Sequence, residues 1–311
     1  MTRLAFGFSL VPTLDVGAHR ELAVAAEEHG LEFLGIQDHP YVPEYLDTFV
    51  LAGALLAATG RIHVFPDVTN LPLRPPAMLA KAAASLDLVS GGRFELAVGA
   101  GGYWDAIERL GVRRRSRAEA NAALEEAFEL MRAIWRADHR PLHHRGTHYT
   151  VDGLVPGPRP AHPIELWTGA QGPKALALTG RIADGWAAPI PSYLPYEQWG
   201  PANTILDEAA AATGRLPSDV RRICQVVGTI TDAPGTLQVT TGAEPLRGDA
   251  AQWAGFLTRS ATDLPFTTFV FWPENQTIDQ VLRFARDVVP AVRQAVEGQA
   301  GGSPGETRPV S

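Results

Sequence analysis

The sequence has almost no cysteine, and this limits the chemistry open to it. Cys224 is the only cysteine among 311 residues. An intramolecular disulfide, a thiol redox pair and a cysteine-based zinc cage are therefore all excluded. Because Cys224 lies in the apolar run from Ile223 to Val227, we predict that it is an inert core residue.

Excess positive charge and long apolar runs are also missing. The chain has 27 basic and 34 acidic residues, a formal net charge of -7, so nothing in its overall charge favours nucleic acid or an anionic membrane surface as a partner. No apolar run approaches the ~20 residues that span a bilayer. Met1, Thr2 and Arg3 lead directly into an alternating run, without the apolar region of a signal peptide. We expect a soluble, cytoplasmic protein.

What the sequence does contain is a repeated alternation of short β-branched or aromatic runs with longer alanine-rich segments. This alternation is typical of βα units around a parallel sheet. Eight candidate strands, the number that closes a barrel, are Leu4–Leu10, Phe33–Gln37, Ile62–Thr69, Phe94–Val98, Ile164–Thr168, Gly185–Ala188, Ile223–Ile230 and Phe266–Trp272. The fold class is therefore α/β, and the predicted architecture is a (β/α)8 TIM barrel.

Seven helices are predicted from apolar residues at three- and four-residue spacing. They are Ala18–Glu28, Phe49–Ala58, Ala77–Val89, Ala118–Ala137, Pro173–Arg181, Asn203–Ala212 and Asp279–Val296. Insertions are expected after strands 4 and 7, namely His139–Pro160 with a hairpin around Tyr149–Leu154, and the glycine-rich, then helical, Asp232–Asp263. One barrel domain over residues 1–298 and a disordered tail over 299–311 complete the prediction.

In such a barrel the chemistry lies where strands run into their following loops. The second candidate strand ends in Gln37-Asp38-His39-Pro40. The imidazole of His39 can exchange a proton near neutral pH, while Asp38 either orients His39 or pairs with a neighbouring cation. The alternative is that His39 is a packed, hydrogen-bonded structural residue.

The third strand ends in polar and small residues where the barrel interior opens. Asp67, Val68 and Asn70 are candidate contacts for the edge of a cofactor. A turn built from proline and asparagine explains the same segment in part, although it does not require Asp67.

The fourth strand ends in glycine, and its loop carries possible substrate contacts. Small residues at a strand end allow a ligand to approach the backbone closely, so Gly99, Ala100 and Gly101 are candidate cofactor contacts. The aromatic residues that follow, with the carboxylates of Asp105 and Glu108, either face a substrate or pack the loop.

The fifth strand leads into the strongest local signal, a glycine-rich turn before a helix. Proline at the first helical position loses no hydrogen bond, and the free N–H groups of the first turn attract an anion. A nearby lysine adds a full positive charge. We predict a phosphate site made of Gly169, Ala170, Gln171, Gly172, Pro173 and Lys174, with an ordinary helix start as the alternative.

Two other clusters carry weaker signals. His143, His144 and His148 are close in sequence, but without a neighbouring carboxylate or cysteine in the sequence they do not predict a specific metal site, so no metal is expected. The basic run Arg113–Arg117 is either a solvated face or a contact for an anionic cofactor tail.

Three segments together resemble the luciferase-like monooxygenase superfamily. They are Arg74–Lys81, Ser85–Gly99, and Thr168–Lys174 with its continuation Leu178–Trp186. The resemblance covers about residues 4–295 and implies a TIM barrel with a non-covalent cofactor across the carboxyl ends of the strands, its phosphate near Gly172. It also implies a non-prolyl cis peptide bond around Pro66, Asp67 and Val68.

Coenzyme F420, a deazaflavin, and FMN are the two cofactors that the resemblance implies. The Asp38-His39 pair is more similar to the deazaflavin branch. The glutamate that this branch carries after the fourth strand is missing, and Asp105 or Glu108 is its expected substitute. The expected activity is hydride transfer to, or monooxygenation of, a small organic substrate by a homodimer. The alternatives are an FMN-dependent monooxygenase and a non-catalytic flavin-binding barrel.

Overall fold

The computed structural model describes residues 3–235 and 242–301, which form an alternating α/β chain. Its barrel strands are β1 (Ala5–Leu10), β2 (Phe33–Ile36), β3 (His63–Pro66), β4 (Thr69–Asn70), β5 (Leu96–Gly99), β8 (Leu166–Thr168), β9 (Gly185–Ala188), β10 (Arg221–Ile230) and β12 (Thr268–Pro273). Outside the barrel wall lie β6 (Leu142–Arg145), β7 (Thr150–Leu154) and β11 (Leu246–Gly248).

The barrel strands form one parallel sheet that closes on itself. Its order runs from β3 through β2, β1, β12, β10, β9, β8 and β5 to β4. Segments β3 and β4 are two halves of one strand, interrupted at Asp67 and Val68. Because β3 also bridges to Phe94 through Val64, this interrupted strand joins the two ends of the sheet. With β3 and β4 counted as one strand, the sheet has eight strands and forms the predicted barrel.

Helices cover the outside of the barrel. They are α1 (Val16–Glu28), α2 (Thr48–Ala58), α3 (Pro76–Ser90), α4 (Trp104–Arg109), α5 (Arg117–Trp135), α6 (Pro173–Ile182), α7 (Trp199–Ala212), α8 (Ala250–Thr262), α9 (Ile278–Arg283) and α10 (Val289–Gly301), with a π-helical turn, Phe284–Val288, joining the last two. All seven predicted helices are found, with ends shifted by a few residues. The sequence analysis missed the short α4.

The two segments predicted as insertions differ in structure. The first holds an antiparallel hairpin of β6 and β7, and the second holds β11 and α8, with residues 236–241 outside the described part. Most of the predicted tail, from 302 onward, lies outside the described residues as well. Within the described part, no helix has the length and apolar character needed to cross a membrane.

The barrel interior is filled by an apolar layer to which every strand contributes one side chain. These are Ala5, Phe33, Phe65, Ala97, Trp167, Ala187, Ile223 and Val270. Because side chains alternate along a strand, residues two positions toward the carboxyl end face the same interior one layer higher, and residues two positions toward the amino end face it one layer lower. Cys224 points the other way and is fully buried, as predicted.

Candidate active site

The upper layer, at the carboxyl ends of the strands, is built around the interruption between β3 and β4. The peptide bond between Asp67 and Val68 is cis, which confirms the feature implied by the family resemblance. Val68 projects toward the ends of β5 and β8. A Cβ on Gly99 would lie 2.9 Å from Val68 Cγ2, and one on Gly169 would lie 3.2 Å from it. Glycine is needed at both strand ends so that Val68 fits between them.

Protein packing also requires glycine at position 101. Gly101 has a φ of +107°, and a Cβ there would come within 2.9 Å of Pro72 and of Trp104. This packing gives Gly99 and Gly101 a structural reason, and their contact with a cofactor stays a prediction. Ala100, between them, is partly buried against the core.

Several polar atoms of this upper layer are buried without a hydrogen bond of good geometry. Within the described residues these are Ser9 Oγ, Asp67 Oδ2, Thr69 Oγ1, Asn70 Oδ1 and Trp272 Nε1. Ser9 and Trp272 nevertheless lie close enough to Asp67 to favour its charged form, so these three groups partly satisfy one another. A buried polar atom left unpaired is unfavourable by about 1–3 kcal/mol, and this group of donors and acceptors fits the polar edge of a flavin-like ring.

Asp67 is the ionisable member of this layer. Its Oδ1 accepts a hydrogen bond of 3.0 Å from Gln225 Nε2. Burial disfavours the charged carboxylate and raises the pKa of Asp67 to about 7, although hydrogen bonds favour the charged form. At neutral pH this carboxyl can hold or release a proton at Oδ2, which the sequence analysis did not foresee.

His39 lies just beyond the end of β2 and is bound to a tyrosine. Its Nδ1 is 2.7 Å from the hydroxyl of Tyr41. Burial lowers the pKa of His39, while the nearby charge of Asp38 acts in the opposite direction. A neutral imidazole at pH 7, with one nitrogen occupied by Tyr41, has its other nitrogen available to exchange a proton with a ligand.

Asp38 has a different role from the one first considered. Its Oδ1 is 2.8 Å from Arg74 Nη2, and its Oδ2 accepts hydrogen bonds from Asn70 N at 2.8 Å and Arg74 Nε at 3.1 Å. Arg74 also binds Asp47, the N-cap of α2, at 2.8 Å. The sequence left two alternatives for Asp38, orienting His39 or pairing with a cation. The structure shows the second, because the carboxylate binds Arg74.

Three tyrosines from separate loops gather beside His39. The rings of Tyr41 and Tyr103 lie 5.5 and 5.8 Å from the imidazole, and Tyr103 is 6.4 Å from Tyr193. The hydroxyls of Tyr103 and Tyr193 are hydrogen-bonded to each other. Of the aromatic residues that follow the fourth candidate strand, Tyr103 therefore lies beside His39, whereas Trp104 packs against Gly101.

The two carboxylates expected to replace the missing glutamate are engaged elsewhere. Asp105 and Glu108 both bind Arg114, and the side chain of Asp105 is 86% exposed. Arg113 binds Glu119, and Arg115 stacks on Tyr149. The basic run is thus matched by its own neighbours, as expected for a solvated face.

The loop after β8 has the local structure predicted for an anion site. Helix α6 begins at Pro173, with Gly172 as its N-cap and no side chain capping its first turn. Ala170 is fixed by a 3.0 Å hydrogen bond from Trp186 Nε1 to its carbonyl oxygen. Gln171, Gly172, Pro173 and Lys174 are exposed. Within the part of the chain that the structure describes, Lys174 has no carboxylate partner, so its charge remains available beside the free N–H groups.

Four residues of this end of the barrel were missed by the sequence analysis: Ser9, Tyr41, Gln225 and Trp272. Two of them left a signal. Gln225 is a polar residue inside the apolar run from Ile223 to Val227, and Ser9 interrupts an otherwise apolar first strand. A polar residue at an inward-facing position near the carboxyl end of a barrel strand indicates a side chain of the site.

Comparison with known proteins agrees with this geometry. The family model described as luciferase-like monooxygenase matches residues 5–259. The chain belongs to the luciferase-like monooxygenase family. Among its relatives are an F420-dependent glucose-6-phosphate dehydrogenase of Nakamurella multipartita, 34% identical over 53% of this chain and 50% of that one, and a pyrimidine monooxygenase of Bradyrhizobium, 28% identical over 56% and 49%.

Solved structures of the family share the fold. An F420-dependent secondary alcohol dehydrogenase, solved with an F420-acetone adduct, superposes with a TM-score of 0.81 over 94% of this chain and 99% of that one, at 20% identity. The chain spans only 49 to 62% of the length of its first curated relatives. The family model therefore shows the family, the solved structure shows the fold, and the activity of the curated relatives does not follow for this chain.

Proposed function

We propose that this chain is an oxidoreductase that binds reduced coenzyme F420, without a covalent bond, at the carboxyl end of its barrel and acts on a small organic substrate. The observation that carries the proposal is the group of buried polar atoms that lack a well-formed hydrogen bond, namely Ser9 Oγ, Asp67 Oδ2, Thr69 Oγ1, Asn70 Oδ1 and Trp272 Nε1. These atoms lie around the Asp67–Val68 interruption, and a flavin-like ring offers donors and acceptors to match them.

The chain's own residues divide the work between binding and proton transfer. The backbone around Val68 would support the ring, and the loop of Gly169, Ala170, Gln171 and Gly172 with Lys174 would hold the phosphate. When bound, the deazaflavin supplies hydride chemistry and a flavin supplies hydride or oxygen chemistry. His39 gives or takes the accompanying proton at the nitrogen that Tyr41 leaves free.

The preference for the deazaflavin over FMN rests on the Asp38-His39 pair and on the F420-dependent relatives. The predicted contribution of Arg113–Arg117 to binding an acidic tail is weakened by the partners that these arginines already have. The dimer and the cytoplasmic location stay predictions. Secondary alcohols and glucose 6-phosphate, the compounds named in the relatives' activities, donate a hydride and so form the first substrate panel with oxidised F420. Their oxidised products are the matching hydride acceptors for reduced F420.

The experiment is a side-by-side titration of the purified chain with F420 and with FMN, each oxidised and reduced, followed by fluorescence. We expect F420 to bind at least about tenfold more tightly. Tight binding of FMN alone would assign the protein to the oxygen-using branch, and binding of neither would overturn the proposal.

A glycine variant ties this binding to the predicted phosphate loop. A Cβ on Gly172 meets nothing within 4 Å, and its φ of -87° suits any residue, so Gly172→Leu should fold normally. It should weaken cofactor binding by roughly 100-fold, about 2.7 kcal/mol, by blocking the N–H groups of α6. The matched control is Gly60→Leu, another exposed glycine with room for a Cβ, which lies before β3 at the opposite end of the barrel. Equal affinity in the two variants would contradict the assignment.

A further inference from the structure

The lower layer of the barrel, at the amino ends of the strands, gathers two histidines and a glutamate. Glu95 Oε1 is 3.0 Å from His162 Nε2 and 3.5 Å from His63 Nδ1. The three atoms all lie within 4.8 Å of one another. His63 and His162 lie outside the three segments that carry the family resemblance, and Glu95 lies within the second of them. The function proposed above does not use any of the three residues.

Outer hydrogen bonds orient two of the three side chains, and the third has a nitrogen without a hydrogen-bond partner among the described residues. His162 Nδ1 donates a 2.6 Å hydrogen bond to Asp87 Oδ1, which directs Nε2 toward Glu95. Glu95 Oε2 accepts a 2.9 Å bond from the backbone N–H of Glu165, leaving Oε1 toward the histidines. Among the described residues, nothing hydrogen-bonds to His63 Nδ1, although that atom is buried. In metal sites, a histidine ligand commonly donates a hydrogen bond from its other ring nitrogen to a carboxylate.

The distances fit a small tetrahedral ion. Zinc binds nitrogen and carboxylate oxygen at about 2.0–2.2 Å, so donors around it lie about 3.4 Å from one another. The two distances that involve Glu95, 3.0 and 3.5 Å, lie on either side of that value, and the two histidine nitrogens are within 4.8 Å of each other. His63 and His162 have side chains 33% and 26% exposed, so an ion can enter from solvent and a fourth position can be filled by water.

The charge of the surroundings also favours a divalent cation. Asp87, Glu95 and Glu165 carry three negative charges, and Arg221, which binds Glu165 through two bonds of 2.8 Å, supplies one positive charge. With both imidazoles neutral, two negative charges remain uncompensated in a half-buried layer. Hydrogen bonding and charge from Glu95 raise the pKa of His162 to about 9, so a proton on His162 is the competing occupant.

We propose that His63, Glu95 and His162 bind one divalent transition-metal ion of the zinc class. The ion would join β3, the start of β5 and the segment before β8 at the base of the barrel. Because the ring-binding layer is at the opposite end, its role is structural, and the proposal does not depend on the cofactor.

The test uses tag-free, full-length protein stripped of metal with a chelator. Co²⁺ is added as a spectroscopic probe, since tetrahedral Co²⁺ has a visible absorption, and Zn²⁺ is then added to displace it. We expect one Co²⁺ per chain, stoichiometric displacement by Zn²⁺, and a Tm that rises with added Zn²⁺. Absence of stoichiometric binding would overturn the proposal and leave the cluster as a protonated His162 between carboxylates.

Variants locate the site. His63→Ala removes a ligand whose Nδ1 has no partner to lose, and should weaken Co²⁺ binding by roughly 100-fold, since even outer-sphere losses weaken metal sites 10- to 100-fold. Glu95→Gln should do the same, and it decides the question if His63→Ala fails to fold. The matched control is His143→Ala in the β6–β7 hairpin, where His143 binds Asp152 at 2.6 Å. Unchanged affinity in His63→Ala and Glu95→Gln, or a loss in His143→Ala, would contradict the site.

Discussion

Burial acts in opposite directions on two side chains at the carboxyl end of the barrel. It lowers the pKa of His39 and raises the pKa of Asp67 to about 7. His39 is therefore mostly neutral at pH 7, whereas Asp67 changes its charge near that pH, and both can exchange a proton under neutral conditions.

Replacing His39 should separate binding from turnover. We expect His39→Ala to lower kcat by roughly 100-fold or more, the usual loss for a general acid or base, while the Kd for cofactor changes less than about threefold, as transition-state effects appear in turnover rather than in binding. The measurement pairs steady-state turnover, on any substrate of the panel above, with cofactor fluorescence. An equal loss in both quantities would make His39 a binding residue.

Asp67 should make stability depend on pH. An aspartate whose folded pKa is about 7 and whose unfolded pKa is about 3.9 keeps its proton longer in the folded state. Wild-type stability is then lost progressively as pH rises from about 4 to 7, and the loss is constant above. The free energy of unfolding of Asp67→Asn should exceed that of wild type by roughly 2–4 kcal/mol at pH 8. At pH 5 this difference should be smaller. Urea unfolding from pH 5 to 8 measures this, and a gap independent of pH would contradict it.

At the scale of elements, Arg74 joins three segments that the sequence places far apart. It binds Asp38 beyond β2 and Asp47 at the start of α2, and it stacks 4.4 Å above the ring of Phe49. The side chain of Asp38 is 1% exposed and that of Arg74 is 20% exposed. This buried pair fixes the loop that carries His39.

Breaking the pair should therefore cost more than breaking a surface pair. We expect Asp38→Ala to lower the free energy of unfolding by about 3–5 kcal/mol, because it leaves Arg74 partly buried and one buried N–H unpaired. Asp105→Ala, which breaks an exposed pair with Arg114, should cost less than about 1 kcal/mol. Chemical denaturation of both variants measures the difference, and similar losses would show that Asp38 contributes little to the fold.

For the whole molecule, the apolar interior layer fills the centre of the barrel. Trp167 is 1% exposed and packs 5.1 Å from Phe65 and 5.8 Å from Phe33, ring to ring. We expect Trp167→Ala to lower the free energy of unfolding by about 3–5 kcal/mol, since it opens a cavity in the barrel. Leu216→Ala, at a leucine that is 65% exposed, should change it by less than about 0.5 kcal/mol. Thermal unfolding compares them, and a small effect at Trp167 would mean that the interior relaxes to fill the space.

Local pattern predicted most of this architecture, because helix and strand periodicity are properties of neighbouring residues. The eight strands, the glycine-rich entry to α6 and the position of His39 at a strand end all followed from the sequence. Contacts between distant segments did not. The Asp38–Arg74 pair, Gln225 with Asp67, and the cluster around Glu95 depend on strand register, which spacing along one chain does not encode.

The apolar layer between the two ends of the barrel also has a thermodynamic consequence. Glu95 at the base and Gly99 at the top are four residues apart along one strand direction, about 13 Å at 3.3 Å per residue. The layer between them is largely apolar, and the indole of Trp167 within it donates a 2.7 Å hydrogen bond to Glu165 at the base. Substitutions farther apart than about 7–10 Å without common partners have additive effects. Changes at the base and changes at the top should therefore combine by simple addition of their free energies, so that one end of this barrel can be redesigned without retuning the other.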